Sequence, residues 1–518
     1  MTIPNPLRFA SCLLFAGLPL MARPANNPVI WADVPDPAVI RVGDTYYMSS
    51  TTMHMSPGLP LMKSHNLVDW ELIGYAYDEL DEDNAALNLE DGQNAYGKGS
   101  WASSLRYHDG LYYVSTFSST TGKTYVFTTP DIEKGDWQEH TFSPSLHDHS
   151  LFFDDDGRVY MVYAGGDIRL RELTSDASGL KPGGIDRVIV PNASEVAGKN
   201  VGLPAEGSQL LKVGDYYYLL NITWPKNGMR TVLVHRAKQI TGPYEGRVAL
   251  QDRGIAQGCL IDTPEGKWYG FLFRDYGAVG RIPYLVPVKW EDGWPVFGID
   301  GKVPDALPIE TSGQMDAIVG SDDFEHRELP LFWQWNHQPA EEAWSLTARP
   351  GYLRLETSHV VDALPQARNT LTQRTYGPQS AAETVLDVAH MQPGDVAGLT
   401  LLQQKHGYIA VVAEPEGKAI VMVNAESGKP REVARVPLEQ DTIYLKAVGD
   451  FRDRADLGTF QFSLDGQSWQ PLGNELHMEY TLPHFMGYRF GLFNYATQRT
   501  GGYVDFSAFR TYQPGARE

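Results

Sequence analysis

The sequence predicts an all-β protein with two domains, a five-bladed β-propeller followed by a β-sandwich. An Asp/Gly turn followed by alternating aromatic and aliphatic residues occurs five times in the first 300 residues, which is a β-hairpin pattern. Hairpins that recur at about 40–50 residues are typical of propeller blades with four strands each. The aromatic residues that mark the repeats follow one another at intervals of 66, 48, 57 and 51 positions: Tyr46, Tyr112, Tyr160, Tyr217 and Trp268.

The chain begins with a segment typical of a secretory signal peptide. One basic residue, Arg8, precedes an almost wholly apolar stretch over residues 9–21. We predict a signal peptide over residues 1–25, cleaved between Ala22 and Ala25, and hence a periplasmic or secreted protein. The mature chain would keep only Cys259, so no internal disulfide is expected, and a core of this size does not require one.

The remaining chain divides into two parts by its pattern. Residues 26–303 carry the repeats and show no helical periodicity, so we predict that they form the propeller. Residues 304–321 have the Pro-, Gly- and Ser-containing composition of a linker. Alternating segments such as YLRLET (352–357) and TFQFSL (459–464) predict that residues 322–518 form the β-sandwich.

Composition excludes several kinds of partner. The formal net charge is −21 and the chain has no run of Lys or Arg, which argues against nucleic acids and anionic membranes. No segment after the predicted signal peptide is apolar over the length of a membrane span. Aromatic residues make up 11% of the chain, which suits stacking on sugar rings, and the sequence carries no signal for an oligomeric state.

Each repeat has an equivalent position, 10–12 residues before its aromatic marker, where the first strand of the blade is expected to begin. We predict that these side chains face the central axis of the propeller. Three of them are carboxylic acids, and crowded like charges are costly away from water. Close carboxylates with separated pKa values are what acid–base hydrolysis of a glycosidic bond needs. The five residues at these positions are Asp36, Trp101, Asp148, Glu206 and Gln257.

Ordered segments of the first domain resemble glycoside hydrolase family 43. They are VPDPAVIR (34–41), WASSLRY (101–107), DHSLF (148–152), AEGSQL (205–210), and GAVGR (277–281) with DGWP (292–295). The second domain resembles the concanavalin A-like, lectin-like sandwich appended to many β-xylosidases of that family, through ARNTLTQR (367–374), AGL (397–399) and GGYVDF (501–506). The resemblance covers nearly the whole mature chain. It implies a five-bladed propeller that hydrolyses glycosides with inversion at the sugar carbon.

The resemblance also implies roles for the three acids. Asp36 is the general base that activates water, Glu206 is the general acid, and Asp148 raises the pKa of that acid and orients it. Inversion needs the base and the acid about 6.5–9.5 Å apart, so that a water fits between them. Asp33 is the alternative base, but the repeat spacing and the Asp-Pro context favour Asp36. We therefore expect Asp33 to lie at the rim or to cap a loop.

The predicted substrate is a plant cell-wall oligosaccharide with terminal α-L-arabinofuranosyl or β-D-xylosyl residues. Trp101 is expected to form an aromatic wall of the sugar site. By resemblance Arg281 binds hydroxyls of the terminal sugar, with a structural ion pair as an equal alternative. Where many β-xylosidases of the family have an aromatic FEWFPG segment, this chain has MHMSPG (53–58). That difference favours arabinofuranosidase activity or both activities, and makes His54 a candidate substrate contact.

Gln257 stands where some relatives have a histidine that holds a central metal ion, and we also predict that it contacts substrate. Without that imidazole we predict no metal and no other cofactor, with a central calcium as the alternative. Other functions left open are an endo-arabinanase-like hydrolase, a non-catalytic carbohydrate-binding protein and a retaining fructan hydrolase. The appended sandwich favours exo action, with the loop at 494–502 as the candidate to close one side of the pocket.

Overall fold

The computed structural model describes residues 23–313 and 318–515. Regular structure in this part of the chain is β, apart from five short 3-10 turns at Ala193–Ala197, Gly277–Val279, Glu341–Ala343, Leu364–Gln366 and Arg452–Arg454. None of the described helices is long and apolar enough to cross a membrane. The predicted signal peptide lies outside the described residues except for positions 23–25, which belong to the strand Arg23–Asn26.

The five predicted blades are confirmed as five antiparallel sheets of four strands, each with its strands adjacent in chain order. The first strands of neighbouring blades contact one another, so they form the ring around the axis. The strands are Ala38–Val42, Thr45–Ser49, Gly58–Ser64 and Glu71–Tyr77 in the first blade; Ser104–His108, Leu111–Ser118, Lys123–Thr129 and Gln138–Phe142 in the second; Ser150–Phe153, Val159–Tyr163, Ile168–Leu173 and Asp186–Val190 in the third; Val201–Val213, Tyr216–Pro225, Thr231–Ala237 and Glu245–Leu250 in the fourth; and Ala256–Asp262, Trp268–Asp275, Arg281–Glu291 and Trp294–Phe297 in the fifth.

The segment that leads into the first blade runs beside the fifth blade. The backbone amides of Val29 and Val34 donate to the carbonyl oxygens of Pro283 and Arg281, each at 3.0 Å. The first and last blades are therefore tied together by main-chain hydrogen bonds, which fix where residues 33–36 enter the axis.

The predicted sandwich is confirmed as two antiparallel sheets packed face to face. The first contains, in spatial order, Arg431–Leu438, Gly417–Asn424, Gly407–Glu414, Asp395–Leu402, Arg489–Ala496, Leu371–Arg374, Gln334–Asn336 and Met55–Ser56. The second contains Trp344–Ser345, Leu353–Glu356, Tyr503–Tyr512, Gln379–Asp387, Thr442–Asp450, Leu457–Ser463 and Gln470–Pro471, with Leu476–His477 also paired to Leu457–Ser463. Their facing side chains include Leu399, Ile409, Leu445, Phe460 and Phe506, which belong to one buried apolar cluster.

One strand of the sandwich comes from the propeller. Met55–Ser56 lies between the second and third strands of the first blade and pairs with Gln334–Asn336 at the edge of the first sandwich sheet. The side-chain amide of Gln334 extends this joint, donating to Thr52 Oγ1 at 2.8 Å and to the carbonyl oxygen of Pro57 at 2.7 Å. The segment at 53–58 therefore joins the two domains, a role that the sequence did not indicate.

The predicted linker at 304–321 includes regular structure. Ala306–Thr311 pairs with Arg23–Asn26 in a two-stranded sheet, and Leu307 is buried in the core. The composition of the linker gave no sign of this strand because its partner lies almost 300 positions earlier, in a segment that the sequence assigned to the signal peptide.

Four rings from both domains pack together at the joint. His54 and His337 have ring centroids 4.5 Å apart, and Tyr96 stacks on His484 at 4.0 Å. His54 is 3% exposed, and its Nε2 lies 3.1 Å from Asn336 Oδ1. In the structure the His54 ring packs at the joint between the domains, and the prediction that it contacts substrate stays a prediction. Burial lowers the pKa of His54 to about 3 and the pKa values of His337 and His484 well below 6.5.

This histidine cluster predicts a loss of stability in acid. Because the folded-state pKa values lie below those of the unfolded chain, the unfolded state binds more protons as the pH falls below about 6.5. The free energy of unfolding should fall by up to about 1.4 kcal/mol per pH unit for each buried imidazole down to about pH 4. Denaturant unfolding should show a shallower dependence for His54→Gln than for the wild type, with exposed His65→Gln as the unchanged control. Equal slopes in wild type and His54→Gln would contradict this account.

Candidate active site

Three of the five equivalent positions of the repeats have an unusual backbone at the propeller axis. Asp36, Asp148 and Gln257 have φ values of 51°, 46° and 59°, and Gly207, directly after Glu206, has a φ of 64°. Residues with a side chain seldom adopt this left-handed conformation, and such strain concentrates at functional sites. Asp36, Asp148 and Gln257 line one small axial cavity. The structure thus brings these predicted residues together.

Glu206 reaches the same region through an irregular strand. The pairing of Val201–Val213 with Tyr216–Pro225 shifts register on both sides of Glu206. Bulges of this kind redirect a side chain and are frequent next to active sites. The side chain of Glu206 is 26% exposed, so it can meet a ligand. The spacing of the repeats located Glu206, but nothing in its local pattern indicated the bulges.

Asp36 forms a buried ion pair with Arg281. One guanidinium nitrogen, Nη1, donates to Asp36 Oδ1 at 3.1 Å and to Oδ2 at 3.0 Å, and both side chains are at most 5% exposed. Burial raises the pKa of Asp36 above 3.8, while the charge and hydrogen bond of Arg281 oppose that rise. The cation keeps this carboxylate ionised, while the raised pKa makes it a stronger base. Such a group is suited to accept a proton from water.

The acids Asp148 and Glu206 share a third neighbour, His147. Its Nε2 lies 3.2 Å from Glu206 Oε2 and 3.7 Å from Asp148 Oδ2. Burial raises the pKa of Asp148 to about 7, against the lowering effect of the His147 charge. Burial disfavours the imidazolium, but the hydrogen bond to Glu206 and the nearby carboxylates raise the pKa of His147 to about 9. His147 therefore contacts both acids at once, and sequence analysis missed it.

A loop of the sandwich, residues 481–488, covers one side of the site. Phe485 packs against Trp101 with ring centroids 5.0 Å apart, and the guanidinium of Arg281 lies 4.9 Å from the Phe485 ring. The loop approaches the propeller so closely that a Cβ at Gly97 would lie 2.4 Å from the carbonyl oxygen of Pro483. A glycine is required there, since its φ of 61° is also left-handed.

The prediction that the loop at 494–502 closes the pocket is wrong. Asn494 donates to the carbonyl oxygen of Leu355 at 2.9 Å, Gly501 donates to Thr357 Oγ1 at 3.0 Å, and Thr497 donates to the carbonyl oxygen of Gly394 at 2.8 Å. These partners all lie in the sandwich itself. The covering segment at 481–488 also contains a proline and a glycine, Pro483 and Gly487, so composition alone does not distinguish the two loops.

Asp33, the alternative base, holds the site together. Its Oδ1 accepts from the backbone amide of Arg281 at 2.7 Å and its Oδ2 from that of Gly487 at 2.9 Å. The carbonyl oxygen of Asp33 accepts from Arg374 Nε at 2.9 Å. Asp33 is only 8% exposed, so it caps backbone of the covering loop from a buried position and not from the rim.

Several donors around Phe485 have no protein partner among the described residues. They are Trp101 Nε1, Arg281 Nε and Nη2, and Tyr480 Oη, all buried at the atom level. Buried donors are nearly always hydrogen-bonded, and leaving one unpaired costs about 1–3 kcal/mol. Sugar hydroxyls would supply acceptors for these donors. Of the two roles that the sequence left open for Arg281, the structure shows the ion pair with Asp36, and sugar binding stays a prediction. Tyr480 is a further residue that the sequence did not indicate.

The prediction of no central calcium concerns the small cavity at the propeller axis. The axial cavity beside Gln257 measures about 10 Å³, which is room for about one water. The neighbouring His149 has both ring nitrogens in hydrogen bonds, to the Leu146 carbonyl oxygen at 2.9 Å and to Ser115 Oγ at 2.8 Å. Across the described ranges, one His/Asp/Glu group has ligand spacing, His147 with Asp148 and Glu206. Because that group contains two of the predicted reactive acids, we assign it to the reaction.

Phe485 should matter for catalysis although it lies in the second domain. Phe485→Ala would remove the ring that packs on Trp101 and Arg281, and we expect kcat/KM to fall by about 10- to 100-fold, mainly through KM. Steady-state kinetics would measure this, with Leu482→Ala, which is 69% exposed on the same loop, as the matched control. An unchanged kcat/KM for Phe485→Ala would show that the loop does not contact the substrate.

Family comparisons agree with this two-domain arrangement. Residues 25–295 match the model described as glycosyl hydrolases family 43, and residues 321–512 match the β-xylosidase C-terminal concanavalin A-like domain. A β-xylosidase of Formosa agariphila is 28% identical, with 93% of this chain and 89% of the relative covered. A non-reducing end α-L-arabinofuranosidase of Bacteroides ovatus is 28% identical, with 79% and 80% covered.

Solved structures give the same result. The bifunctional GH43-CE protein of Bacteroides eggerthii is 57% identical with a TM-score of 0.93 over 95% of this chain, and this chain spans 64% of that longer one. An engineered GH43 hydrolase, described as having both endo-xylanase and exo-arabinofuranosidase activity, is 30% identical with a TM-score of 0.84, over 94% of this chain and 99% of its own. Since the family model alone matches more than half of the chain, the protein is a member of glycosyl hydrolase family 43, with a concanavalin A-like domain at its C-terminus.

Proposed function

We propose that the protein is an inverting exo-glycosidase that removes terminal α-L-arabinofuranosyl or β-D-xylosyl residues from plant hemicellulose. The observation that carries the proposal is the presence of two separately held carboxyl groups at the axis. Asp36 is held by Arg281, and Glu206 is held by His147 together with Asp148. Asp36 does not belong to the compact Glu206 group. Inversion is what the resemblance to the family implies, and it needs room for a water between base and acid.

The residues then divide the reaction between them. Asp36 takes a proton from a water molecule while the oxygen of that water attacks the sugar carbon. The bond to the leaving oxygen breaks with its electron pair on that oxygen, which takes the proton of Glu206. The unpaired donors of Arg281, Trp101 and Tyr480 would bind hydroxyls of the terminal sugar. No step requires a metal.

Exo action and the choice of sugar rest on two further observations. Loop 481–488 walls off one side of the site, which favours a chain end over an internal segment and disfavours the endo-arabinanase-like alternative. Relatives carry the names β-xylosidase and α-L-arabinofuranosidase, so both sugars remain candidate substrates. The three axial carboxyl groups disfavour a purely carbohydrate-binding protein.

The test uses paired aryl glycosides and proton NMR. We expect turnover of aryl α-L-arabinofuranoside, β-D-xyloside or both, release of monosaccharide alone from arabinoxylan, and a first-formed anomer of inverted configuration. Retention, or release of oligosaccharides first, would overturn the inverting or the exo assignment respectively. Activity that survives EDTA would support a reaction without metal.

We also propose that the protein is exported to the periplasm or beyond. Support comes from Arg8 followed by the apolar stretch at 9–21. N-terminal sequencing of the protein from a cell fraction outside the cytoplasm should begin between residues 23 and 26, and an intact Met1 would contradict export.

A further inference from the structure

We propose that His147 is a positioning residue for the general acid: it directs one oxygen of Glu206 away from the leaving group and stabilises the carboxylate left after proton transfer. The inference rests on the proposed function, since it concerns the same reaction. His147 is not one of the axial repeat positions, and its role follows only from what its ring touches.

The imidazole of His147 lies between the ring of Phe117 and the two acids Glu206 and Asp148. Its Nε2 lies 3.2 Å from Glu206 Oε2 and 3.7 Å from Asp148 Oδ2. The ring packs edge-on against Phe117 at a centroid distance of 5.2 Å, and Phe117 in turn stacks near Trp101 at 6.2 Å. The side chain is 45% exposed. His147 therefore links the aromatic wall of the sugar site with the acid pair.

This contact selects which oxygen of Glu206 reacts. With Oε2 accepting from His147, the other oxygen, Oε1, is free to carry the acidic proton towards the glycosidic oxygen. When that proton leaves, Glu206 becomes a carboxylate beside an N–H donor. A hydrogen bond to a charged acceptor is stronger than a neutral one, so the contact stabilises the product side of the transfer.

The surrounding charges make the effect of His147 specific. The charges of Glu206, Asp148 and Asp36 all favour the protonated form of His147. Burial and the charge of His147 in turn both lower the pKa of His149. Without His147, Glu206 and Asp148 would face each other within 4.8 Å with no cation between them. Like charges at this distance repel each other, so the acidic proton should leave less readily when His147 is absent.

Two variants separate the parts of this role. His147→Ala removes donor and charge, whereas His147→Gln keeps an N–H donor within reach but does not titrate. On a substrate with a poor leaving group, we expect kcat to fall by about 10- to 100-fold for His147→Ala and by less for His147→Gln. On a dinitrophenyl glycoside, which needs little acid assistance, the loss should be below about threefold. Exposed His65→Gln is the control.

The pH dependence gives a second readout. The basic limb of kcat/KM, which reports the acid, should move to higher pH by about one unit in both His147 variants. Equal losses for both leaving groups together with an unmoved limb would overturn the inference and leave a purely structural histidine. The carboxyl ¹³C resonance of Glu206 distinguishes this from a failure of the proposed function: removing His147 should shift that resonance even if no glycoside is turned over, and an unchanged resonance would refute the contact.

Discussion

Replacement of Glu206 by Gln is expected to reduce kcat on a glycoside with a poor leaving group by about 10²–10⁴-fold, the usual contribution of a general acid. Glutamine keeps the size of the side chain and can still accept a hydrogen bond from His147, which lies 3.2 Å from Glu206 Oε2. It has no proton to give to the leaving oxygen. The loss should shrink strongly on a dinitrophenyl glycoside, because that leaving group departs without protonation.

The matched control for this variant is Glu195→Gln, an exposed glutamate in the 3-10 turn Ala193–Ala197 that forms an ion pair with Lys199. It should have wild-type kinetics and thermal stability. If Glu206→Gln kept more than about a tenth of the wild-type kcat on the poor substrate, Glu206 would not be the acid, and the next candidate would be Asp148, whose pKa burial raises to about 7.

Replacement of Asp36 by Asn is expected to cause a loss of similar size or larger, about 10³-fold or more, with a different dependence on the leaving group. The base acts on water, so the poor and the good leaving group should suffer equally. The acid limb of the wild-type pH profile should lie above the usual range of an aspartate, because burial raises the pKa of Asp36, and below that limb the protonated base is inactive.

Asp36→Asn should also destabilise the fold. Arg281 would keep its charge at 4% side-chain exposure without its carboxylate partner, and breaking such a pair typically costs about 3–5 kcal/mol. Calorimetry or denaturant unfolding would measure this, with Asp44→Asn in the exposed turn of the same blade as the control. Wild-type stability of Asp36→Asn would refute the ion-pair account, and full activity would return the role of base to Asp33.

The part of the site that could be predicted from sequence is the part that the propeller repeats. Asp36, Asp148, Glu206 and Gln257 occupy equivalent positions before aromatic hairpins, and the left-handed backbone at or beside each of them follows the same repeat. The spacing of the repeats can be read from a single sequence, and it was sufficient to find these residues.

The remaining residues depend on contacts that no local pattern encodes. Phe485 and Tyr480 reach the site from a domain that follows the propeller, and the loop at 481–488 has no turn signal that distinguishes it from 494–502. His147 is one of 14 histidines, and it lies next to Asp148 but outside the equivalent positions of the repeats, so no pattern distinguishes it. His54 was proposed as a substrate contact because MHMSPG (53–58) stands where many β-xylosidases of the family have an aromatic segment, and no local pattern shows that its backbone pairs with the sandwich.

The strand Met55–Ser56 has a consequence for how this enzyme could have evolved. Because the first blade supplies the edge strand of the sandwich sheet, the two halves of the gene encode strands of one continuous β-sheet. Shuffling that exchanges only the C-terminal half would leave mismatched partners for Trp335 and Asn336 as well as for Asp33, which caps Gly487. Recombination is therefore expected to transfer the pair as a single heritable unit, and specificity should change through point substitutions in loop 481–488.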